Sequence, residues 1–437
     1  MHPPNEGTLQ RSLDLPDVIA LGINGVIGQG IFLLPGLAVA RLGPAAIAAV
    51  LVAGAISFLI ALCFAEVGSR FTTTGGAYVY AREAFGDFVG FEVGWMTCCV
   101  AVIAWAALAN GLTVVLGHFI PAVASGWLQP VTAIAVMAFL AGINLVGARQ
   151  GALISTLSSV AKLIPLLLFV AVGFTQIDGA LFEPFAPMGW GGLAETTLLV
   201  LYAFVGFETL VVPAGEMTNP RRNVPLAMLA VMTVVTLVYV SVLAVSIGTF
   251  PGLAGHPTPV SAAALGVLGP IGGTLVAGGI VISVFGTNAG AALVSPRRFF
   301  AMADRGDLPR FLARVHPRTG VPWVSVLVTF ALAAALTLTG TFKELATLSV
   351  VARFVQYIPT CLAAIVLRRR DTEEPQGFRL PFGPALPILT VGLCCWLLAN
   401  TAPEKLLIGC GALAVGVPLY LWKKRGEMTD PSRTSPR

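Results

Sequence analysis

Two short interruptions in apolar stretches carry the chemistry of this chain: Gly28-Gln29-Gly30 and Val205-Gly206-Phe207-Glu208. Each lies close to the middle of a segment long enough to cross a bilayer. Hydrocarbon satisfies no freed backbone group, so glycines at that depth imply a helix that unwinds inside the protein. Unwinding exposes amide N–H groups at the start of one half-helix and carbonyls at the end of the other, a ready-made site for a polar solute. Breaks at matching places in two halves of a chain mark a binding site at a repeat interface. A third feature is Lys162, an amine near the centre of an apolar stretch. A cation there costs roughly 2.5–3.5 kcal/mol on insertion scales. It needs a partner, or it is neutral part of the time and carries a proton.

No constellation for covalent chemistry accompanies these features. The four histidines (His2, His118, His256, His316) are scattered singly through tails and loops, and no nucleophile–base pair appears in the spans. No catalytic residue, metal site or cofactor is therefore expected, and an enzyme is not. A pump driven by ATP would carry a Gly-x4-Gly-Lys-[Ser/Thr] segment, which is absent. A channel would need a continuous polar pore, whereas the polar residues here are isolated.

The elements that position these residues are transmembrane helices. Apolar residues make up 56% of the 437 and charged residues 11%; soluble domains carry about 25% charged. At ~20 residues per span the apolar stretches resolve into twelve. They lie near 17–40, 44–66, 88–117, 129–147, 152–175, 193–216, 224–249, 269–302, 323–340, 345–367, 385–401 and 405–423. With both termini cytoplasmic, only Arg41, Lys343 and Lys405 fall in outer loops and only Lys162 and Arg353 within spans. The remaining basic residues all face inward, as the positive-inside rule requires. The net charge of +5 is thus a topology signal, and the Arg297–Arg318 cluster is a membrane surface, with no nucleic acid implied. Asp14 and Asp17 precede the first span where a cleaved leader would be basic. The seven cysteines sit in spans, which argues against a disulfide framework.

The organisation follows. Polar tails at 1–14 and 424–437 flank one transporter domain, 15–423. Spans one to five (about 17–175) and six to ten (about 193–368) form two halves of opposite orientation, a 5+5 inverted repeat with broken helices 1 and 6; spans eleven and twelve lie outside it. Two cytoplasmic stretches, Glu66–Phe85 and Arg297–Pro322, read as amphipathic helices at the interface that shape the inner vestibule.

Five motifs in order resemble the amino acid–polyamine–organocation (APC) superfamily of permeases, from Leu13 to Lys424. They are Gly25-Val26-Ile27-Gly28-Gln29-Gly30-Ile31-Phe32; Ala65-Glu66-Val67-Gly68-Ser69-Arg70; Thr74-Gly75-Gly76-Ala77-Tyr78-Val79-Tyr80; Gly206-Phe207-Glu208 through Gly215-Glu216-Met217-Thr218-Asn219-Pro220; and Pro296-Arg297-Arg298 with Ala303-Asp304-Arg305-Gly306-Asp307. The family often has Ser or Ala where this chain has Gln29. The resemblance implies an all-α LeuT-like fold and secondary amino acid transport in the plasma (cytoplasmic) membrane. The partners implied are an amino acid, protons and the lipid bilayer.

On that reading an amino acid loses water from its carboxylate and ammonium at mid-membrane. Ile27, Gly28, Gln29, Gly30 and Ile31 form the first-span site, and Ala203, Phe204, Val205 and Gly206 its sixth-span counterpart. The competing reading of the glycines is tight helix packing. In resembling permeases a fifth-span lysine substitutes for a sodium ion and couples transport to protons; Lys162 matches that placement, with a fixed ion pair as the alternative. Glu208 reads as a gate acid that takes up a proton, or as a carboxylate paired to a neighbouring span. Tyr202 stands where related exchangers place an aromatic gate, or simply packs. Arg353, in span ten, requires a carboxylate or carbonyls, with Glu208 and Glu216 as partners to choose between. Glu66, Glu92 and Glu216 are assigned to the inner gate, and Asn288 to a weak site position. The leading expectation is proton-coupled uptake of neutral amino acids by alternating access; exchange on the same fold is the alternative, and Glu208 leaves a cationic substrate open.

Overall fold

The computed structural model describes residues 11–117, 119–256, 258–339, 342–370, 377–401 and 403–429. The expectations placed on 1–10, 430–437 and His118 lie outside the described residues, as do the side chains of Lys343 and Lys405. Among the described residues the chain is helical, with one isolated bridge between Leu13 and Met217. The helices are α1 (Leu15–Val26), α2 (Gly30–Leu42), α3 (Ala46–Gly68), α4 (Ala77–Phe85), α5 (Asp87–Leu116), α6 (Leu128–Val146) and α7 (Ala148–Gly173). They continue as α8 (Leu193–Phe204), α9 (Pro220–Thr249), α10 (Pro259–Asp304), α11 (Trp323–Thr337), α12 (Phe342–Arg370), α13 (Ala385–Ala399) and α14 (Pro403–Thr429). Among the described residues, six helical stretches are long and apolar enough to cross a membrane. They are Leu34–Gly68, Asp87–Leu116, Leu128–Val146, Thr156–Gln176, Pro220–Thr249 and Pro259–Asp304.

Local chemistry explains where the first expected span begins and stops. Asp14 caps α1 and Asp17 returns the bond to the Asp14 amide, a reciprocal capping box at 3.1 and 3.3 Å. The helix ends at Val26, Gly28 N–H turns back to the Val26 carbonyl at 2.8 Å, and α2 starts at Gly30. The sixth expected span behaves differently. α8 stops at Phe204, and beyond Gly206 the chain continues only as short 3-10 turns at Phe207–Thr209 and Ala214–Glu216. The amides of Ser12 and Leu13 donate to the Glu216 carbonyl at 2.9 and 3.0 Å, which ties the approach to α1 to the end of that irregular segment.

Packing places α1 and α8 at the centre. α1 lies against α7 and α9, α8 against α3 and α2, and α10 runs along both α7 and α5. α7 shows the burial logic: Leu157, Val160, Ile164 and Leu167 face outward, while Ser158, Ser159 and Lys162 are buried. Apolar side chains outside and polar ones inside is the pattern of a helix whose solvent is lipid. The approach is close, for a Cβ on Gly286 of α10 would stand 2.3 Å from Ser158 Cβ.

Two sequence expectations are corrected. Glu66–Phe85 is not one interfacial helix: α3 runs to Gly68 and α4 follows only after the positive-φ pair Gly75 and Gly76. α4 is packed into the protein because both its tyrosines have internal partners. Tyr78 hydroxyl donates to Asp307 at 2.5 Å, and the Tyr80 ring stacks on Phe71 with centroids 5.3 Å apart. Burial, with Asp307 beside it, holds the Tyr78 phenol protonated far above its ordinary range. Arg297–Pro322 is likewise no separate helix. α10 continues through Arg297 to Asp304, leaving one turn at Arg310–Ala313.

Candidate functional site

The two breaks meet backbone to backbone. Gly206 holds φ at +121°, and a Cβ there would stand 2.3 Å from the Gly25 carbonyl oxygen. A Cβ on Gly30 would stand 2.8 Å from Ala203 Cα. The glycines therefore serve close packing and the helix interruption together, so the two readings of them are not exclusive. Tyr239 on α9 adds a tie, its hydroxyl 3.0 Å from the Val26 carbonyl and 2.9 Å from the Ala203 carbonyl. Val26 is the last residue of α1 and Ala203 the next to last of α8.

Lys162 is fully buried behind the first break. Its ammonium donates to the carbonyls of Ile27 (2.5 Å), Asn24 (3.3 Å) and Ser283 (3.3 Å) and to Thr287 Oγ1 (3.5 Å). The hydroxyls of Ser283 and Thr287 donate to the same Ile27 and Asn24 carbonyls, each at 3.0 Å. Among the described residues no carboxylate bonds this ammonium, so its partners are a cage of oxygens from α1 and α10 rather than an acid.

Glu208 sits beyond the second break and is buried. It accepts from Arg353 Nη1, from the Tyr357 hydroxyl at 3.0 Å and from the Gly206 amide at 3.0 Å. One carboxylate thus caps the interruption and binds it to α12. Phe207 stacks on Tyr357 with centroids 5.5 Å apart. Glu216 pairs instead with Arg297, at 2.6 and 2.9 Å, so Arg353 chooses Glu208. Glu66 is held by Arg368, Arg70 and the Leu380 amide. Glu92 faces Gly416 of α14, and neither of its oxygens is hydrogen-bonded among the described residues.

Between the breaks, α5, α10 and α12 lies a cavity of about 100 Å³. Gly28, Gln29, Gly30, Tyr202, Ala203, Val205 and Gly206 line it, as does Arg353. Small α5 residues, Ala101, Ala104 and Ala107, leave its opposite wall open. Gln29 is buried, with its amide fitted against Gly111. Other expected site residues are turned away. Ile27 enters only through its carbonyl, and Ile31 faces a smaller void between α2, α8 and α9. Phe204 packs edge-on against Tyr239, centroids 5.0 Å apart. Asn288 joins α10 to α5 by donating to the Leu108 carbonyl at 3.0 Å. A helix segment presents one face to a cavity, so contiguous residues around a break cannot all line it.

A family model described as amino acid permease matches residues 13–406. The chain belongs to the amino acid permease family. Among its relatives, the serine/threonine exchanger SteT of Bacillus subtilis (strain 168) is 31% identical, over 97% of this chain and 99% of SteT. The methylthioribose transporter of the same organism is 29% identical over 96% of this chain and 94% of its own length. The branched-chain amino acid permease BcaP, also from that organism, is 28% identical over the same shares. These relatives are transporters, not enzymes. A permease with these apolar stretches is a multi-pass membrane protein.

Several residues around the two breaks carry no sequence signal of their own. Asn24, Ser283, Thr287, Tyr239 and Tyr357 complete the Lys162 cage, the tie between breaks and the Glu208 clamp. The signal that points to the α10 hydroxyls is the need of a buried Lys162 for oxygens around its ammonium.

Proposed function

We propose that this permease is a secondary active amino acid transporter that works by alternating access, with proton-coupled uptake of neutral amino acids. The observation that carries the reading is the meeting of two helix breaks in one cavity, with a caged lysine directly behind the first. The substrate carboxylate docks on the free amides at the start of α2, and its ammonium on nearby carbonyls. Gly28, Gln29, Gly30, Ala203, Val205 and Gly206 form this site, and Tyr202 gates it. The reading takes the chain as twelve spans in a plasma membrane, both termini cytoplasmic, with inverted repeats at about 17–175 and 193–368 between the tails.

Lys162 supplies the coupling. As an ammonium it holds the Ile27 and Asn24 carbonyls against α10. A neutral amine keeps two N–H groups and turns a lone pair toward one of the carbonyls, which loosens α1 from its support. Glu208 is the second proton site: on protonation it frees Arg353 and the Gly206 amide, so the second break moves with the first. Small and aromatic lining residues favour a neutral side chain. Exchange on the same fold is the second reading, favoured by the likeness to a serine/threonine exchanger.

The test is uptake of labelled amino acids into liposomes with and without an inward proton gradient, with Lys162→Ala beside the parent. Gradient-driven accumulation that disappears in the variant is the expected result. Uptake that requires internal amino acid and ignores the gradient would assign exchange and remove Lys162 from the coupling.

A further inference from the structure

Adjacent arginines near the end of α10 have opposite fates. Arg297 is fully buried and satisfied by both oxygens of Glu216. Arg298, turned about 100° around the helix, is 4% exposed and lines the cavity. Its sole hydrogen bond among the described residues is Nη1 to the Thr97 carbonyl at 3.3 Å, and its Nε has none. The other buried arginines among the described residues have acids: Arg297 has Glu216 and Arg353 has Glu208. A guanidinium stays charged in a protein. Held in a low-dielectric site without an anion, it lowers stability. Such a group persists where a ligand brings the missing charge.

Position says what that ligand does. Thr287, in the Lys162 cage, and Arg298 are eleven residues apart on one helix, or about 16 Å at 1.5 Å per residue. Between them Gly290, Ala291, Val294 and Ser295 line the cavity, a track of small side chains from the breaks to the guanidinium. Arg298 thus marks the far end of the path, toward the C-terminal end of α10. Arg353 lines the same cavity, but its guanidinium is neutralised by Glu208. Of the two arginines that line this cavity among the described residues, Arg298 is the one without an acid.

We propose that Arg298 is a carboxylate subsite of this cavity, separate from the amides of the first break. It pairs through two N–H groups with a carboxylate of the transported solute. That carboxylate is either the α-carboxylate of an amino acid moving inward or the side-chain carboxylate of a dicarboxylic one. The proposal rests on the transport reading above.

The experiment measures ligand-induced thermal stabilisation of the purified protein and its R298M and R298K variants. The probes are L-leucine, L-aspartate, succinate and leucinol, which lacks the carboxylate. R298M without ligand is expected to be as stable as the parent or more so, and to bind carboxylate probes about ten-fold more weakly or worse. R298K recovers part of that loss, and leucinol is indifferent to both changes. Weakening for leucine and aspartate alike assigns the α-carboxylate; weakening for aspartate and succinate alone assigns the side-chain carboxylate. If R298M loses resting stability and keeps its affinities, the arginine is a structural tie to Thr97 and the proposal falls. A parent that responds to succinate through Arg298 but to no amino acid keeps the subsite and sinks the amino acid reading. A parent that responds to none of the carboxylates overturns the subsite as well.

Discussion

The Lys162 ammonium stands 2.5 Å from the carbonyl oxygen of Ile27, the residue at which the first helix stops. A helix that ends in mid-protein leaves carbonyls without intrahelical donors. Here those carbonyls are satisfied by a side chain from α7 and two hydroxyls from α10. The interruption is therefore a held conformation, and the strength of the hold is set by groups that can be removed one at a time.

Ser283→Ala and Thr287→Val each delete one hydroxyl from the cage. A neutral hydrogen bond contributes about 1 kcal/mol, so each variant should lose roughly five-fold in uptake efficiency in liposomes. The double variant should lose more than the product of the two, because both hydroxyls and Lys162 share the same carbonyls. Simple additivity would mean that the hydroxyls support the helix without acting through the lysine.

Gly206→Ala tests the contact between breaks. The backbone there is left-handed, and a methyl group would meet the Gly25 carbonyl oxygen. Strain of about 1–3 kcal/mol attends such a conformation in a residue with a side chain, before the clash is counted. The variant should show a lowered melting temperature in detergent and uptake below about a tenth of the parent. Full uptake by Gly206→Ala would show that the two breaks need not touch during transport.

What the sequence makes legible here is what apolar surroundings make expensive. A glycine pair or a lysine inside a long apolar run has few explanations, so Gly28, Gly30, Gly206 and Lys162 stand out by their setting alone. Their partners do not. Three of the four oxygens around Lys162 are backbone carbonyls, which no residue type announces. Ser283 and Thr287 resemble any hydroxyl that bonds back along its own helix. Arg298 looks like one more basic residue of a cytoplasmic loop, and only the rotation between it and Arg297 turns it toward the cavity. Ile31 and Phe204 adjoin the breaks in sequence, but helical geometry turns them toward other neighbours.

The Glu208–Arg353 pair is open to a double-mutant cycle. Both groups are buried, and Glu208 also accepts from Tyr357 and the Gly206 amide. Glu208→Gln leaves the guanidinium without an anion and should destabilise by about 3–5 kcal/mol. Arg353→Gln should do the same from the other side. Combining them removes both charges, so the double variant should recover much of the loss, read as melting temperature. Recovery of stability without recovery of uptake would assign the pair to the transport cycle. Losses that add would show that the charges are not coupled.

Tyr239→Phe removes a single oxygen that lies between the ends of two helices, 3.0 Å from Val26 O and 2.9 Å from Ala203 O. One hydroxyl proton serves one carbonyl at a time, so the bond can pass from α1 to α8 without leaving the site. The ring is buried and packs on Phe204, contacts that phenylalanine keeps. The stability change should therefore be small, about 1 kcal/mol. Transport should change more than stability, since the lost oxygen links the segments that move relative to one another in the proposed alternating-access cycle. The measurement is uptake alongside melting temperature in the same preparation. A several-fold fall in uptake at near-parent stability is the expected outcome. An unchanged rate would make Tyr239 a packing residue whose hydroxyl only satisfies carbonyls left over by the breaks.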